Sequence, residues 1–325
     1  MTDDPTRAPA LPTPYPRPGL PSAVRIVEVG PRDGLQAEAA IVPTAAKIEF
    51  VDRLAGCGLE AIEVTSFVSP RRVPQLADAT EVLSGVGAST GRRLVLVPNL
   101  RGYERLIESE PSSTLAPTEV AVFVSATETF AQANLGTDRA TAITNAGEVI
   151  NRAVAEGRRV RGYVSMCFGD PWEGAVDPAV VGEVAGLLVE LGCHTVSLGD
   201  TIGVGTAGQV PMVVTACATA GLALDRIALH FHDTYGQALA NVLAGLEAGV
   251  TEFDSAAGGL GGCPFAKSAT GNLATEDLVW FLRGLGLDTG VDLERLAATS
   301  AWMAGLLGRP MPSAVARAVT GAVPG

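Results

Sequence analysis

From Val24 onward one pattern repeats eight times: a short run rich in β-branched residues, then a longer stretch carrying alanine, leucine and glutamate. The runs predict strands at 24–29, 61–65, 94–97, 120–124, 161–165, 195–198, 227–232 and 252–256. Helices are expected to begin near Thr44, Val73, Gly102, Asp138, Asp177, Thr206, Gln237 and Leu273. At Asp177-Pro178 an acceptor side chain precedes a proline suited to the first helical turn. Strand–helix alternation at this spacing builds a parallel sheet, and eight units in about 260 residues match a closed α/β barrel, the (β/α)8 TIM barrel. Segment 293–307 is expected as an additional C-terminal helix. A single catalytic domain is expected over 24–310, flanked by a proline-rich disordered tail at 1–23 and a loose tail at 311–325.

An open, doubly wound sheet is the competing fold. Gly203-Val204-Gly205-Thr206-Ala207-Gly208 matches the glycine fingerprint of dinucleotide-binding turns, follows a strand and opens a helix. It falls in the sixth unit, however, with five similar units before it, and two histidines occupy the strand where the ribose site would form. A tight glycine turn before a helix is the reading that fits the barrel.

Composition narrows the partners. Apolar residues make up 47% of the 325-residue chain, enough for a sizeable core, and the net charge is −12 without a basic patch interleaved with aromatics. Nucleic acid and anionic membrane are therefore not expected as partners. No apolar run is long enough to span a bilayer. The five cysteines (Cys57, Cys167, Cys193, Cys217 and Cys263) are scattered without a close pair, as expected of reduced thiols in a cytoplasm.

A barrel of this kind carries its chemistry at the C-terminal ends of its strands. Strand 1 ends in Gly30-Pro31-Arg32-Asp33-Gly34-Leu35-Gln36, and strand 2 carries Glu63 and runs into Thr65 and Ser66. Strand 6 ends in Ser197-Leu198-Gly199-Asp200-Thr201, strand 7 in His230-Phe231-His232-Asp233, and strand 8 leads into a glycine-rich loop around Cys263. Of three histidines in the chain, His230 and His232 sit at i and i+2 on one strand, hence on one face, about 7 Å apart. Such a pair can chelate one cation or simply hydrogen-bond within a polar barrel mouth. If it chelates, Asp33 and Asn272 are the nearest oxygen donors, and a mixed nitrogen and oxygen set favours Mg²⁺ or Mn²⁺ over a closed zinc site. Arg32 beside Asp33 reads either as an ion pair or as a cation that stabilises an oxyanion. Glu28 and Glu63 lie within apolar strands and are expected to pair with arginines at the barrel mouth. Cys263 is reactive only where nearby cations or a metal favour its thiolate.

These segments, taken together, resemble hydroxymethylglutaryl-CoA lyases, TIM-barrel metallolyases related to isopropylmalate and homocitrate synthases. The resemblance runs from Val24 to about Ala304. It is carried by the stretches 27–36 (VEVGPRDGLQ), 65–70 (TSFVSP), 196–206 (VSLGDTIGVGT), 230–241 (HFHDTYGQALAN), 259–264 (GLGGCP) and 271–277 (GNLATED). It implies a divalent cation held by Asp33, His230, His232 and Asn272, with Arg32 neutralising the enolate oxygen of departing acetyl-CoA. It further implies Cys263 as a catalytic acid/base, with Asp33 or His230 as other candidates for the hydroxyl proton. Gln36, Glu63, Ser66, Asp200 and Glu276 are implied as substrate contacts or supports of the site. The implied reaction is retro-Claisen cleavage of 3-hydroxy-3-methylglutaryl-CoA to acetyl-CoA and acetoacetate, by a homodimer of the kind used in leucine degradation. The alternatives are a longer-branched 3-hydroxy-3-alkylglutaryl-CoA as substrate and, more distantly, a nicotinamide-dependent oxidoreductase built on the 203–208 turn. Three departures from the family pattern bear on the pocket: Asp170, the pair Arg71-Arg72, and Lys267.

Overall fold

The computed structural model describes residues 12–87, 91–110, 118–262 and 271–321. Eight strands close into an all-parallel barrel: β1 (Arg25–Glu28), β2 (Ala61–Ser66), β3 (Arg92–Leu96), β4 (Glu119–Ser125), β5 (Val160–Ser165), β6 (Thr195–Asp200), β7 (Ile227–Phe231) and β8 (Glu252–Ser255). Each pairs with its neighbours in sequence, and β1 closes the ring on β8 with Val27 opposite Asp254. Burial on both faces explains why the strands read as nearly continuous apolar runs; β2 and β6 are buried at every position.

The outer ring is α1 (Thr44–Ala55), α2 (Ala79–Gly85), α3 (Leu100–Ser109), α4 (Arg139–Ala155), α5 (Pro178–Leu191), α6 (Val210–Thr219), α7 (Ala238–Glu247) and α8 (Thr275–Gly284). The Asp138 and Asp177 side chains accept from the Thr141 and Ala179 amides and so fix two of the predicted starts. Helices α5 and α6 approach closely at Gly182, where a Cβ would stand 2.7 Å from the Ala216 carbonyl oxygen.

Several boundaries differ from expectation for local reasons. The second helix begins at Ala79, not near Val73, because Pro74–Leu76 first forms a 3-10 turn and the Asp78 carboxylate is engaged by Lys47 at 2.7 Å and Thr44 at 2.8 Å. The sixth begins at Val210, after a turn in which Gln209 Oε1 accepts from the Thr206 amide at 3.0 Å.

The two ends of the described chain also depart from the sequence reading. The expected extra helix is present as α9 (Leu293–Leu307), but part of the expected loose tail forms α10 (Ala314–Thr320). Ser313 caps it at the Ala316 amide, and Asp277 accepts from the Ser313 hydroxyl at 2.7 Å and the Val315 amide at 2.8 Å. At the other end, part of the segment expected to be disordered is tied down: the Tyr15 amide donates to the Gly284 carbonyl at 2.9 Å, and Arg17 meets Glu247 at 2.5 Å.

The barrel interior is partly ionic. Arg161, wholly buried, projects from β5 onto Glu252 and Asp254 of β8, the latter at 2.6 Å. Nearer the N-terminal rim Arg92 meets Glu119 and Arg25 meets Glu252, both at 2.9 Å. This lattice fills the lower barrel and leaves the C-terminal mouth open.

Candidate active site

Beyond β1 the chain makes a wide helical turn, Gly30–Gly34, in which the Gly34 amide reaches back to the Val29 carbonyl at 3.1 Å. That turn delivers Arg32 and Asp33 to the mouth of the barrel. The Arg32 guanidinium donates from Nε to Glu63 Oε2 at 2.7 Å and from Nη1 to Asp33 Oδ1 at 2.8 Å, and it lies 5.9 Å from the centre of the Tyr163 ring. Burial opposes the charge on Arg32, but the two carboxylates outweigh it and hold the group cationic. Glu63 therefore has the arginine partner expected of it. Glu28 does not: Oε1 accepts from the Gly30 and Ala257 amides at 2.8 and 2.9 Å, and Oε2 from the Thr275 hydroxyl at 2.7 Å. It laces β1 to the segment after β8, and burial pushes its carboxyl up to about 7.

Asp33, His230 and His232 converge, with one potential ligand atom from each lying within 4.8 Å of the others. The imidazole centroids are 5.3 Å apart. His232 lies just past the end of β7 and is held by an isolated bridge to Asn272, whose Nδ2 donates to Asp33 Oδ2 at 2.9 Å. Backbone pairing of Asp233 with Gly271 and of Phe231 with Leu273 clamps Asn272 in place. Burial raises the Asp33 carboxyl, but Arg32 and the two histidines more than reverse this and bring it down to about 2. The Asn272 Oδ1 atom is buried without a hydrogen-bond partner among the described residues. A buried acceptor left unpaired beside a carboxylate and two imidazoles fits a cation with mixed nitrogen and oxygen ligands.

Asp254 was not among the residues singled out from the sequence. Its Oδ2 lies 3.3 Å from His230 Nδ1 and accepts from the Ser197 hydroxyl at 2.7 Å, while Oδ1 accepts from Arg161 at 2.6 Å. Burial alone would lower the His230 pKa; Asp254 and Asp33 outweigh it and raise the value above its ordinary level. The contact is one of charge, since Nδ1 has no partner of good hydrogen-bond geometry; a carboxylate beside one ring nitrogen favours a proton there and leaves the other nitrogen towards the ligand position. The available signal was a carboxylate within a short apolar strand, the same signal that drew attention to Glu63.

A cavity of about 690 Å³ opens over this cluster. Arg32, Asp33, Gln36, His230 and His232 form its polar end, while Leu96, Phe123 and Tyr163 contribute to its apolar wall. Gly262 also lines it, at the point where the glycine loop leaves the described residues. Cys263 and Lys267 lie outside them.

Besides Glu63 and Asn272, which reach its wall only through Arg32 and Asp33, three expected site residues do not line this cavity. Ser66 is fully buried, and its hydroxyl accepts from the Val68 amide. Glu276 accepts from the Gly258 amide at 2.8 Å and from the Ser300 hydroxyl, beneath the root of the glycine loop, and burial raises it to about 7. Asp200, raised to about 6 by burial, accepts from the Val204 and Gly205 amides at 2.9 and 3.0 Å. The amides that a dinucleotide phosphate would need in the 203–208 turn are thus engaged by the chain's own carboxylate. Asp170 is likewise a brace: it accepts from the Trp172 and Glu173 amides and from the Thr127 hydroxyl, joining the loops after β4 and β5.

The fold and this rim together define a (β/α)8 barrel enzyme with a cluster of side chains able to hold a metal ion beside a buried arginine. Residues 23–303 match the HMGL-like family model. The chain is 48% identical over 303 residues to the mitochondrial hydroxymethylglutaryl-CoA lyase of Arabidopsis thaliana, covering 93% of this chain and 63% of that protein's length. Among solved structures, the hydroxymethylglutaryl-CoA lyase of Pseudomonas aeruginosa superposes with a TM-score of 0.88 at 46% identity, covering 94% of this chain and 99% of that one. An HMG-CoA lyase of A. baumannii in complex with coenzyme A and 3-methylmalate superposes with a TM-score of 0.85 at 36% identity, over 91% of this chain and 95% of that one. The chain belongs to the HMGL-like family of hydroxymethylglutaryl-CoA lyases.

Proposed function

We propose that this protein cleaves 3-hydroxy-3-methylglutaryl-CoA to acetyl-CoA and acetoacetate. The observation that carries the reading is the convergence of Asp33, His230 and His232 within 4.8 Å, with Arg32 on the same cavity. Asp33, His230, His232 and Asn272 would hold Mg²⁺ or Mn²⁺, and such a cation lowers the pKa of a hydroxyl group bound to it.

The chain's own residues account for the remaining demands of the reaction. Breaking C2–C3 leaves the bond's electron pair on the thioester fragment as an enolate. Arg32, kept cationic and fixed by Glu63, meets the developing oxygen charge without having to reorganise. The Asp33 carboxylate stays ionised well below neutral pH and so remains an acceptor throughout. Asp254 holds the His230 ring in orientation through Nδ1. Protonation of C2 needs an acid, and Cys263 is the candidate: it follows in sequence Gly262, which lines the cavity. The apolar wall of Leu96, Phe123 and Tyr163 would exclude water from the enolate.

A reduced compartment is consistent with Cys57, Cys167, Cys193 and Cys217, which are free and buried. The test is to incubate the purified protein with 3-hydroxy-3-methylglutaryl-CoA and either Mg²⁺ or Mn²⁺ and to follow acetoacetate. Stoichiometric acetyl-CoA and acetoacetate are expected; intact thioester with both metals would defeat the proposal.

A further inference from the structure

Tyr163 lies on β5 two positions after Arg161, so both side chains enter the barrel from one face of the strand. Arg161 reaches the buried ionic lattice beneath, while Tyr163 lines the cavity on whose wall Arg32 also stands. The Arg161 and Arg32 guanidinium carbons lie 5.3 and 5.9 Å from the centre of its ring. The ring is thus an aromatic plate shared by the ionic interior and the catalytic rim, held at both contacts by a cation.

The phenol oxygen is buried and has no hydrogen-bond partner among the described residues. The carboxylates whose charges act on it, those of Glu63 and Asp254, accept instead from Arg32, Arg161 and Ser197. Leaving a buried hydroxyl unpaired costs stability, and phenylalanine would fill nearly the same volume without that cost. Burial, reinforced by the two carboxylates, pushes the phenol well above its ordinary pKa, so the group keeps its proton and stays a donor. The demand for such a donor lies in the same cavity. When C2–C3 breaks, its electron pair moves onto the thioester fragment and the charge gathers on the thioester oxygen. Arg32 faces that charge, but its Nε and Nη2 are turned to Glu63 and its Nη1 donates to Asp33, so much of its donor capacity is spent on the carboxylates that fix it.

We infer that the Tyr163 hydroxyl donates a hydrogen bond to the enolate oxygen formed in this cavity, as the neutral partner of Arg32, a role that rests on the acyl-CoA reading above. No proton changes hands at this contact. The hydroxyl keeps its hydrogen while the C2–C3 electron pair moves onto the thioester fragment, and the bond strengthens as charge grows on the oxygen. A neutral donor is cheaper to bury than a second cation would be, and its fixed position spares the reacting molecule any reorganisation of solvent.

The experiment uses Tyr163→Phe, which removes the hydroxyl and leaves the ring against both arginines. Two rates are read on the full chain with Mg²⁺. One is cleavage of 3-hydroxy-3-methylglutaryl-CoA. The other is exchange of the acetyl hydrogens of acetyl-CoA with deuterium from solvent, which needs the same enolate but no particular acyl branch. The variant should slow both by about tenfold or more, with KM within about threefold of the parent, because the bond answers to charge that only the transition state carries. Its urea midpoint should match or exceed the parent's, since an unpaired buried hydroxyl has been removed. Parental rates in the variant would overturn the inference. So would a raised KM with kcat unchanged, which would place the hydroxyl on bound substrate and not on the enolate. A lowered urea midpoint would make the hydroxyl structural and overturn it as well. A parent that exchanges acetyl-CoA hydrogens but leaves 3-hydroxy-3-methylglutaryl-CoA intact would defeat the proposed substrate alone, with the exchange rates still deciding for or against Tyr163.

Discussion

Replacing Asp254 with asparagine tests the link between the barrel's ionic interior and its rim. In the native protein this carboxylate, wholly buried, receives Arg161 at 2.6 Å and Ser197 at 2.7 Å and faces His230 at 3.3 Å. Asparagine preserves the shape but removes the charge, leaving Arg161 with Glu252 as its remaining ionic partner. Breaking a buried pair costs about 3–5 kcal/mol; with Glu252 still in place, the lower end of that range, about 3 kcal/mol, is expected. At His230 the loss is one of orientation, and removing such an outer partner typically weakens metal binding by about 10–100-fold, or about 1.4–2.8 kcal/mol. The two effects separate in two measurements: urea unfolding for stability, and titration of the folded protein with Mn²⁺ followed by electron paramagnetic resonance. A folded Asp254→Asn protein that binds Mn²⁺ as tightly as the parent would refute the orienting role. Ser197→Ala, which removes one hydrogen bond but no charge, should shift the Mn²⁺ titration in the same direction by a smaller factor.

Other perturbations address the remaining parts of the site. His232→Ala should strip Mn²⁺ affinity and lyase activity together; retained metal binding would remove His232 from the ligand set. Cys263→Ala should leave Mn²⁺ binding intact and lower turnover by about 100-fold or more, and near-parental turnover would make the thiol structural. Burial raises the Glu276 carboxyl from 4.5 to about 7, so the folded state takes up a proton between those values. The stability this contributes is full below pH 4.5 and is lost as pH rises through 7, by about 3 kcal/mol at most. Glu276→Gln should therefore flatten the fall in urea midpoint between pH 5 and pH 8, leaving the portion due to Glu28; an unchanged slope would refute the assignment.

The barrel was legible because its signal is local and repeated. Each strand is buried on both faces and each helix on one, so every unit carries the same alternation, and eight repeats leave little room for another closed sheet. The Arg32-Asp33 pair and the two histidines were legible too, because the i, i+2 spacing on a strand dictates a shared face. Glu28 was misjudged for the opposite reason. Its partners are the amides of Gly30 and Ala257 and the hydroxyl of Thr275, and two of those lie at the far end of the chain. Asp200 and Glu276, expected as substrate contacts or as supports of the site, accept from backbone amides. The C-terminal helix α10 escaped notice because seven residues carry a weak periodic signal, and its stability comes from Asp277, thirty-six residues before Ser313.

By itself, then, the sequence determined the order of strands and helices, the rim on which chemistry would sit, and the residue types able to hold a cation there. Only the closed barrel decided which of those residues meet. Closure sets β1 against β8 and brings Asp33, His230 and Asn272, separated by up to 239 positions in the chain, to one point. It also placed Asp254 between Arg161 and His230, and gathered three arginines around a second cavity. Such contacts depend on register and curvature summed around the whole ring, a property that no local stretch of sequence carries.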